Sequence, residues 1–124
     1  LKRNLHAKNY IFNAERYKLI AMTRKYPKLN VIIEDILKKA DCRLAILFGS
    51  YAKFIAKEDS DIDIYVDTRS SKIKEAVESV NSDISVKIGR FDISSLLIKE
   101  IIRNHVILKG VEEFYEKTGF FGQA

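Results

Sequence analysis

The stretch Leu47–Asp67, LFGSYAKFIAKEDSDIDIYVD, decides the fold of this chain. It opens at the end of a near-continuous apolar run, CRLAILF over residues 42–48, which is typical of a strand buried on both faces. Polar and apolar residues then alternate with period two over residues 61–66, a pattern that favours a second strand. The stretch therefore predicts two strands, the first of which ends at Gly49.

Helices and strands alternate through the rest of the chain. Residues 8–12, KNYIF, are β-prone and predict a short strand, after which Asn13 is expected to cap a helix that reaches Lys25. Asn30 is expected to cap a second helix, which ends at Lys39. The pattern further predicts helices over 50–56, 72–79, 94–104 and 111–117, and strands over 84–88 and 106–108. This order favours an α+β (α/β-like) fold with a small mixed β-sheet flanked by helices.

The length and composition bound the class of protein. With 124 residues the chain has room for one compact domain, and 47% apolar with 31% charged residues predicts an ordered soluble protein. No apolar run approaches the roughly 20 residues of a membrane helix, so we expect no membrane partner and a cytoplasmic location. The single cysteine excludes an internal disulfide. The net charge of +5 favours polyanionic ligands, although such a charge is also common on ordinary surfaces.

Two carboxylates and a glycine turn carry the chemistry of the central stretch. Gly49 can adopt backbone angles that other residues avoid, and Ser50 would open a helix whose free N–H groups attract phosphate. Asp61 and Asp63 are two residues apart on a strand, so both lie on one face about 6 to 7 Å apart at their bases. Carboxylate oxygens suit Mg²⁺, which completes its shell with water and substrate phosphates. The pattern predicts a phosphate cradle that faces a metal site.

The alternative interpretation of the same residues is purely structural. It takes them as an exposed edge strand with two solvated aspartates, beside a turn that only starts a helix. Tyr65 is expected to be a surface aromatic, and Asp67 to be a turn residue. His6 and His105 lack the spacing of a zinc site and are expected to be structural. The joint occurrence of the turn and the aspartate pair between two strands favours the functional interpretation.

The central stretch resembles the minimal nucleotidyltransferases of the DNA polymerase beta superfamily, whose signature is Gly-Ser followed at a fixed distance by Asp-x-Asp. The resemblance covers roughly residues 30–110, including the helix IKEIIRN and the closing strand HVILKG. It implies the nucleotidyltransferase fold, with the triphosphate gripped by Gly49 and Ser50. It also implies that Asp61 and Asp63 are catalytic residues and hold Mg²⁺, with a nucleoside triphosphate, ATP first, as substrate.

Two features depart from the family pattern. Phe54 stands where glycine is common, so we expect the helix after Ser50 to be longer or packed differently. The active enzymes also carry a third carboxylate on the third strand, and here its slot falls at Ser85, or at Lys87 if the register differs by two. Neither is an acid, and Asp83 or Asp92 would fill the slot only if the strand were shifted or kinked.

The resemblance leaves several functions open. One is transfer of a nucleoside monophosphate to an unknown acceptor, with release of pyrophosphate, as in antitoxins that modify a HEPN-type ribonuclease. Another is a regulatory module of this fold with weak or no catalysis, attached to a DNA-binding domain. In that case residues 1–29 are the remnant of an upstream domain, LKRNLHAKNYIF is the last strand of a DNA-binding wing, and residues 30–124 form the nucleotidyltransferase-like domain. The final helix, with Phe120 and Phe121, is expected to form core or homodimer contacts or to dock a partner.

Overall fold

The computed structural model of the chain describes residues 5–119. Within this range, helices and a four-stranded sheet form an α+β fold, which confirms the predicted fold class. In chain order the elements are α1 (Leu5–Lys25), α2 (Leu29–Lys39), β1 (Ala45–Phe48), β2 (Ile62–Val66), α3 (Ser71–Glu78), β3 (Ile84–Ile88), α4 (Leu96–Arg103), β4 (Val106–Lys109) and α5 (Val111–Lys117).

The sheet is mixed and is covered by helices on both faces. Its strand order is β3-β2-β1-β4, with β1 antiparallel to both of its neighbours and β2 parallel to β3. Because successive residues of a strand face opposite sides, β1 contributes to two cores. Leu47 lies in a buried cluster with Ile36 of α2, and Ile46 lies in a second cluster with Ile98 of α4 and Phe114 of α5.

The N-terminal strand predicted over residues 8–12 is wrong, because these residues belong to α1. Ala7, Ile11 and Glu15 are spaced four residues apart and are buried on one side of the helix, which packs against β4 and α5. Asn13 is exposed within the helix and caps nothing. The local β preference of KNYIF is outweighed by the burial of Ala7, Ile11 and Glu15, which a helix places on one side. The same helix contradicts a wing strand over the described part of LKRNLHAKNYIF.

Several element boundaries also differ from the prediction. Helix α2 begins at Leu29 rather than after Asn30, whose side chain donates a hydrogen bond to the carbonyl oxygen of Pro27 at 3.3 Å. Strand β1 begins at Ala45, where pairing with Val66 starts, instead of at residue 42. Helices α3 and α4 are capped by the hydroxyls of Ser70 and Ser95, each of which accepts a backbone N–H three residues later.

A buried carboxylate connects α1 to α5 and to the residue before β4. The side chain of Glu15 is within hydrogen-bonding distance of the Tyr115 hydroxyl, and its Oε2 lies 3.4 Å from Nε2 of His105. The Nζ of Lys18 lies 3.0 Å from the other oxygen. Burial alone would raise the pKa of Glu15, but the contacts with His105, Tyr115 and Lys18 lower it to about 2. The prediction of a structural role for His105 agrees with this cluster.

Helix α5 packs against the core through one face. Phe114 is buried in the core on the α4 side of the sheet, and Val111 and Tyr115 pack against the same cluster. Phe120 and Phe121, which were expected to join this surface, lie outside the described residues. Over residues 5–119, no helix combines the length and the apolar character that crossing a membrane requires.

Candidate functional site

The Gly-Ser turn and the aspartate pair meet at one end of the sheet. Phe48, the last residue of β1, lies opposite Asp63 of β2, so Gly49 follows directly beside this carboxylate. Gly49 has φ +77°, and a Cβ atom built on it would lie 2.2 Å from Oδ2 of Asp63. Both the backbone angle and the space therefore require glycine at this position. The Gly-Ser turn and the Asp63 carboxylate, which the sequence predicts to face each other, are therefore in contact, with no side chain between them.

The Asp63 carboxylate is half-buried and has no partner of its own. No hydrogen bond or ion pair engages its side chain within residues 5–119, and Asp61, at the entrance of β2, is exposed. Burial raises the pKa of Asp63, and the Asp61 carboxylate raises it further, against the opposing effect of Lys87. A cation bound between the two aspartates would relieve both unfavourable effects.

The segment after Gly49 forms a single turn, so the helix predicted over residues 50–56 is wrong. The carbonyl oxygen of Ser50 accepts the N–H of Ile55 at 3.1 Å. Phe54 ends the turn with φ +62°, an angle that glycine tolerates best. Phe54 therefore adopts a backbone angle that favours glycine, and no helix forms between Ser50 and Ala56. Because no helix begins at Ser50, no helix dipole contributes to phosphate binding here. The turn itself is the candidate phosphate-binding element.

The third strand carries no acid beside the aspartate pair. Ser85 lies opposite Asp63, and Lys87 lies opposite Tyr65, so Ser85 is the β3 residue paired with the Asp63 position. Asp83 is one step outside the strand, where its carbonyl oxygen accepts the N–H of Ile62 at 2.8 Å. In the described part of the chain, no group of three or more His, Cys, Asp or Glu side chains could hold a metal ion.

Asp92 lies at the other end of the sheet and does not reach the pair. It lies four residues after Ile88, the last residue of β3, which is paired with the last residue of β2, whereas Asp63 lies near the start of β2. The Oδ1 atom of Asp92 accepts hydrogen bonds from the backbone N–H and the hydroxyl of Ser94, which lower the pKa of Asp92. Its carboxylate is part of a local turn before α4.

Two nearby residues of the site were not predicted from the sequence. Lys53 in the turn and Glu100 on α4 form an ion pair of 3.7 Å between Nζ and Oε2. The charge of Glu100 also contributes to the raised pKa of Asp63. No spacing in the sequence indicates this neighbourhood, because α4 reaches the site only when it packs on the sheet. Helix α4 also carries Lys99 and Arg103, so Glu100 does not stand out in the sequence.

Tyr65 was expected to be a surface aromatic, and this expectation is wrong. Its side chain is buried with Phe48 and Phe91, and its hydroxyl donates a hydrogen bond of 2.7 Å to the carbonyl oxygen of Gly89. Burial, followed by the nearby Asp67, raises the pKa of Tyr65. After Asp63, strand β2 is therefore buried on both faces. Helices α4 and α5 cover the face that the alternating pattern predicted to be exposed to solvent.

The fold and this site define a small α+β domain in which a glycine turn contacts a carboxylate of a neighbouring strand. The sequence model of the family "Polymerase beta, Nucleotidyltransferase" matches residues 31–118. The chain belongs to this nucleotidyltransferase family.

One solved structure is remotely similar to the domain. It is described as a crystal structure of a toxin-antitoxin with AMP-PNP, and it is 20% identical in sequence with a TM-score of 0.46. The similarity covers 72% of this chain and 88% of that chain. A comparison with curated protein sequences found no match.

Proposed function

We propose that this chain binds a nucleoside triphosphate with Mg²⁺ and transfers its nucleoside monophosphate to an acceptor, releasing pyrophosphate. In this proposal Gly49 and Ser50 hold the triphosphate, and Asp61 and Asp63 are the catalytic and metal-binding residues. The observation that carries it is the contact between Gly49 and Asp63, where only glycine leaves room for the carboxylate. Phosphate groups on the turn would therefore lie next to the carboxylates.

The residues at this site suit Mg²⁺. Mg²⁺ in phosphate-transfer sites is usually held by one or two carboxylates, with water and substrate phosphates as the other ligands. Asp61 and Asp63 supply two carboxylates, and Asp63 has no competing partner in the described chain. When bound, the ion would neutralise the charge of the triphosphate. The protein side contributes the positioning of the triphosphate beside the carboxylates, and Lys53 and Lys87 contribute positive charge nearby.

The test is calorimetric titration of ATP, GTP, CTP and UTP with and without Mg²⁺. We expect Mg²⁺-dependent binding in the native chain and a loss of at least about tenfold in affinity in the Asp61→Asn, Asp63→Asn double variant. Glu34→Gln with Asp41→Asn is the matched control, because it removes the same charge at exposed positions away from the site. The absence of triphosphate binding in a folded sample, or equal losses in both variants, would contradict the proposal.

A second candidate function is a nucleotide-binding module with little or no turnover. The observation that favours it is Ser85 in the slot opposite Asp63. Ser85→Asp restores a carboxylate at this position, and release of pyrophosphate from ATP measures its effect. If the native chain is a weak enzyme, Ser85→Asp increases turnover by about 10²-fold or more, the typical contribution of general acid–base catalysis. Efficient turnover by the native chain with any acceptor would exclude this candidate.

The acceptor to test first is a protein of the HEPN ribonuclease class, which the resemblance to antitoxin-type nucleotidyltransferases supports. Incubation with ATP and Mg²⁺ followed by intact-mass measurement would detect the added nucleoside monophosphate on the acceptor. DNA is a second partner to test, through any domain upstream of residue 30. Homodimer formation is tested by measurement of the mass in solution.

A further inference from the structure

A second cleft lies behind the Gly-Ser turn, on the opposite face of the sheet from Asp63. Its volume is about 280 Å³, and its lining includes Lys25, Tyr26, Lys28, Tyr51, Lys57 and Glu58. Tyr51 packs with Leu47 in the core on the α2 side, whereas Phe48 and Asp63 face the α4 side. The cleft is therefore separate from the site proposed above.

Three lysines and one glutamate give the cleft a positive charge. The Nζ of Lys25 donates to the carbonyl oxygen of Phe54 at 2.8 Å, and the Nζ of Lys28 donates to the carbonyl oxygen of Glu58 at 3.1 Å. An ammonium group has three hydrogens, so each lysine can donate further hydrogen bonds. Across residues 5–119, none of these lysines forms an ion pair with a carboxylate. Their charge is available to an anion.

The cleft also contains a buried hydroxyl without a partner. The side chain of Tyr51 is fully buried, and its hydroxyl has no hydrogen-bond partner in the described chain. The Lys28 ammonium is close, lying 5.7 Å from the centre of the Tyr51 ring, and Tyr51 raises the pKa of Lys28. The Lys28 ammonium can donate to the Tyr51 oxygen but cannot accept, so the hydroxyl hydrogen of Tyr51 has no acceptor in the described chain. An unsatisfied buried hydroxyl is unfavourable, and a ligand oxygen at this position would accept its hydrogen bond.

Helix α2 adds positive potential to the same cleft. Lys28 is the N-cap residue of α2, and its side chain makes no capping hydrogen bond. The first turn of α2 has no acidic residue that would offset the positive end of the helix dipole. The helix end, the lysines and the hydroxyl therefore favour the same kind of ligand, which is a compact anion that accepts several hydrogen bonds.

We propose that this cleft binds the phosphate group of a phosphate-bearing ligand. The Tyr51 hydroxyl donates a hydrogen bond to a phosphate oxygen, and Lys25, Lys28 and Lys57 neutralise its charge. The ligand source is either a small phosphate compound or the backbone of a nucleic acid, which present the same chemistry. The proposal does not depend on metal or on Asp61 and Asp63, so it can be tested independently of the proposed transferase activity.

The experiment measures binding in EDTA at low salt, about 50 mM, so that the metal-dependent site does not contribute. The probes are inorganic phosphate, AMP, and a 5′-phosphorylated thymidine oligonucleotide of about 12 residues. The cleft variant is Lys28→Gln with Lys57→Gln. The matched control is Lys38→Gln with Lys39→Gln, which changes the net charge equally at exposed positions near the end of α2. Circular dichroism verifies that each variant is folded.

We expect the cleft variant to lose at least about tenfold in affinity and the control to lose less than about threefold. Tyr51→Phe is expected to lose about fivefold or more in affinity while its midpoint of thermal unfolding stays equal or rises, because the substitution removes an unsatisfied hydroxyl. A purely structural tyrosine hydroxyl would give a lower midpoint instead. Binding of phosphate and AMP identifies a small-ligand site, and binding of the oligonucleotide alone identifies a nucleic-acid strand.

Three results would overturn the proposal. The first is that no probe binds the native chain. The second is an equal loss in the cleft variant and the control, which would mean that only the net charge attracts the probes. The third is native affinity in Tyr51→Phe, which would mean that the hydroxyl does not contact the ligand.

Discussion

Glu15 and Asp63 are two carboxylates near the same end of the sheet, and their surroundings shift their pKa values in opposite directions. Glu15 is buried and surrounded by His105, Tyr115 and Lys18, so its pKa falls to about 2. Asp63 is half-buried, has Asp61 as its strongest charged neighbour, and its pKa is raised. A carboxylate with partners inside the chain stabilises the fold, whereas a carboxylate without them is suited to a ligand that arrives later.

The largest effect is expected from Glu15→Gln, which keeps the shape of the side chain and removes its charge. At pH 7 the variant should lose about 3 kcal/mol of unfolding free energy, because the lowered pKa shows that the fold favours the charged form. Urea unfolding measures this loss. Glu34→Gln, at an exposed position of α2, is the control and should change stability by less than about 0.5 kcal/mol. Equal stabilities of the two variants would show that the Glu15 cluster does not stabilise the fold.

Acid should remove the same stabilisation progressively. The folded pKa of Glu15, about 2, lies below its unfolded value of 4.5, so its contribution is complete above about pH 4.5 and is lost as the pH falls toward 2. The difference in unfolding free energy between the native chain and Glu15→Gln should therefore shrink from about 3 kcal/mol to near zero over this interval. Urea unfolding at successive pH values measures it. A constant difference across the interval would contradict the assignment to the Glu15 charge.

The turn beside Asp63 should be the next most sensitive position. Gly49→Ala adds a left-handed backbone penalty of about 1 to 2 kcal/mol and a contact with Asp63 Oδ2. Gly119→Ala is the matched control, because Gly119 has φ +74° with no atom within 4 Å of an added Cβ. Gly49→Ala should cost more than the control, and the excess should shrink when Asp63→Ala is added, because alanine removes the Oδ2 and Cγ contacts and leaves only the Cβ at 3.3 Å. An undiminished excess in the double variant would place the clash elsewhere.

The smallest effect is expected from Asp63→Asn, and its sign should be opposite to that of Glu15→Gln. Because the pKa of Asp63 is raised in the fold, its charged form is disfavoured, and neutralising it should leave stability unchanged or raise it by less than about 1 kcal/mol. Thermal unfolding at pH 7 measures the change. The same variant is expected to lose Mg²⁺-dependent triphosphate binding. A clear loss of stability would mean that Asp63 supports the fold, as Glu15 does.

The central site was largely predictable because its residues are close in sequence. The apolar run, the glycine and the alternating strand are local patterns, and antiparallel pairing of β1 with β2 then places Gly49 beside Asp63. The helix expected after Ser50 was wrong because Phe54 adopts a left-handed angle, which a propensity scale does not anticipate. Glu100 was missed because it reaches the site from α4, which follows in the chain after β3.

The sequence by itself determined the two strands that flank Gly49 and Asp61, the second of which carries Asp63, since hydrophobic periodicity and glycine angles act over neighbouring residues. Only the tertiary structure decided that residues 8–12 are helical, that Tyr65 is buried, and that Glu15 lies against His105 and Tyr115. These outcomes depend on groups about 20 to 100 residues apart, whose burial outweighs local preference. Glu15 and Asp63 look alike in the sequence, and only the partners that packing supplies distinguish the structural carboxylate from the proposed functional one.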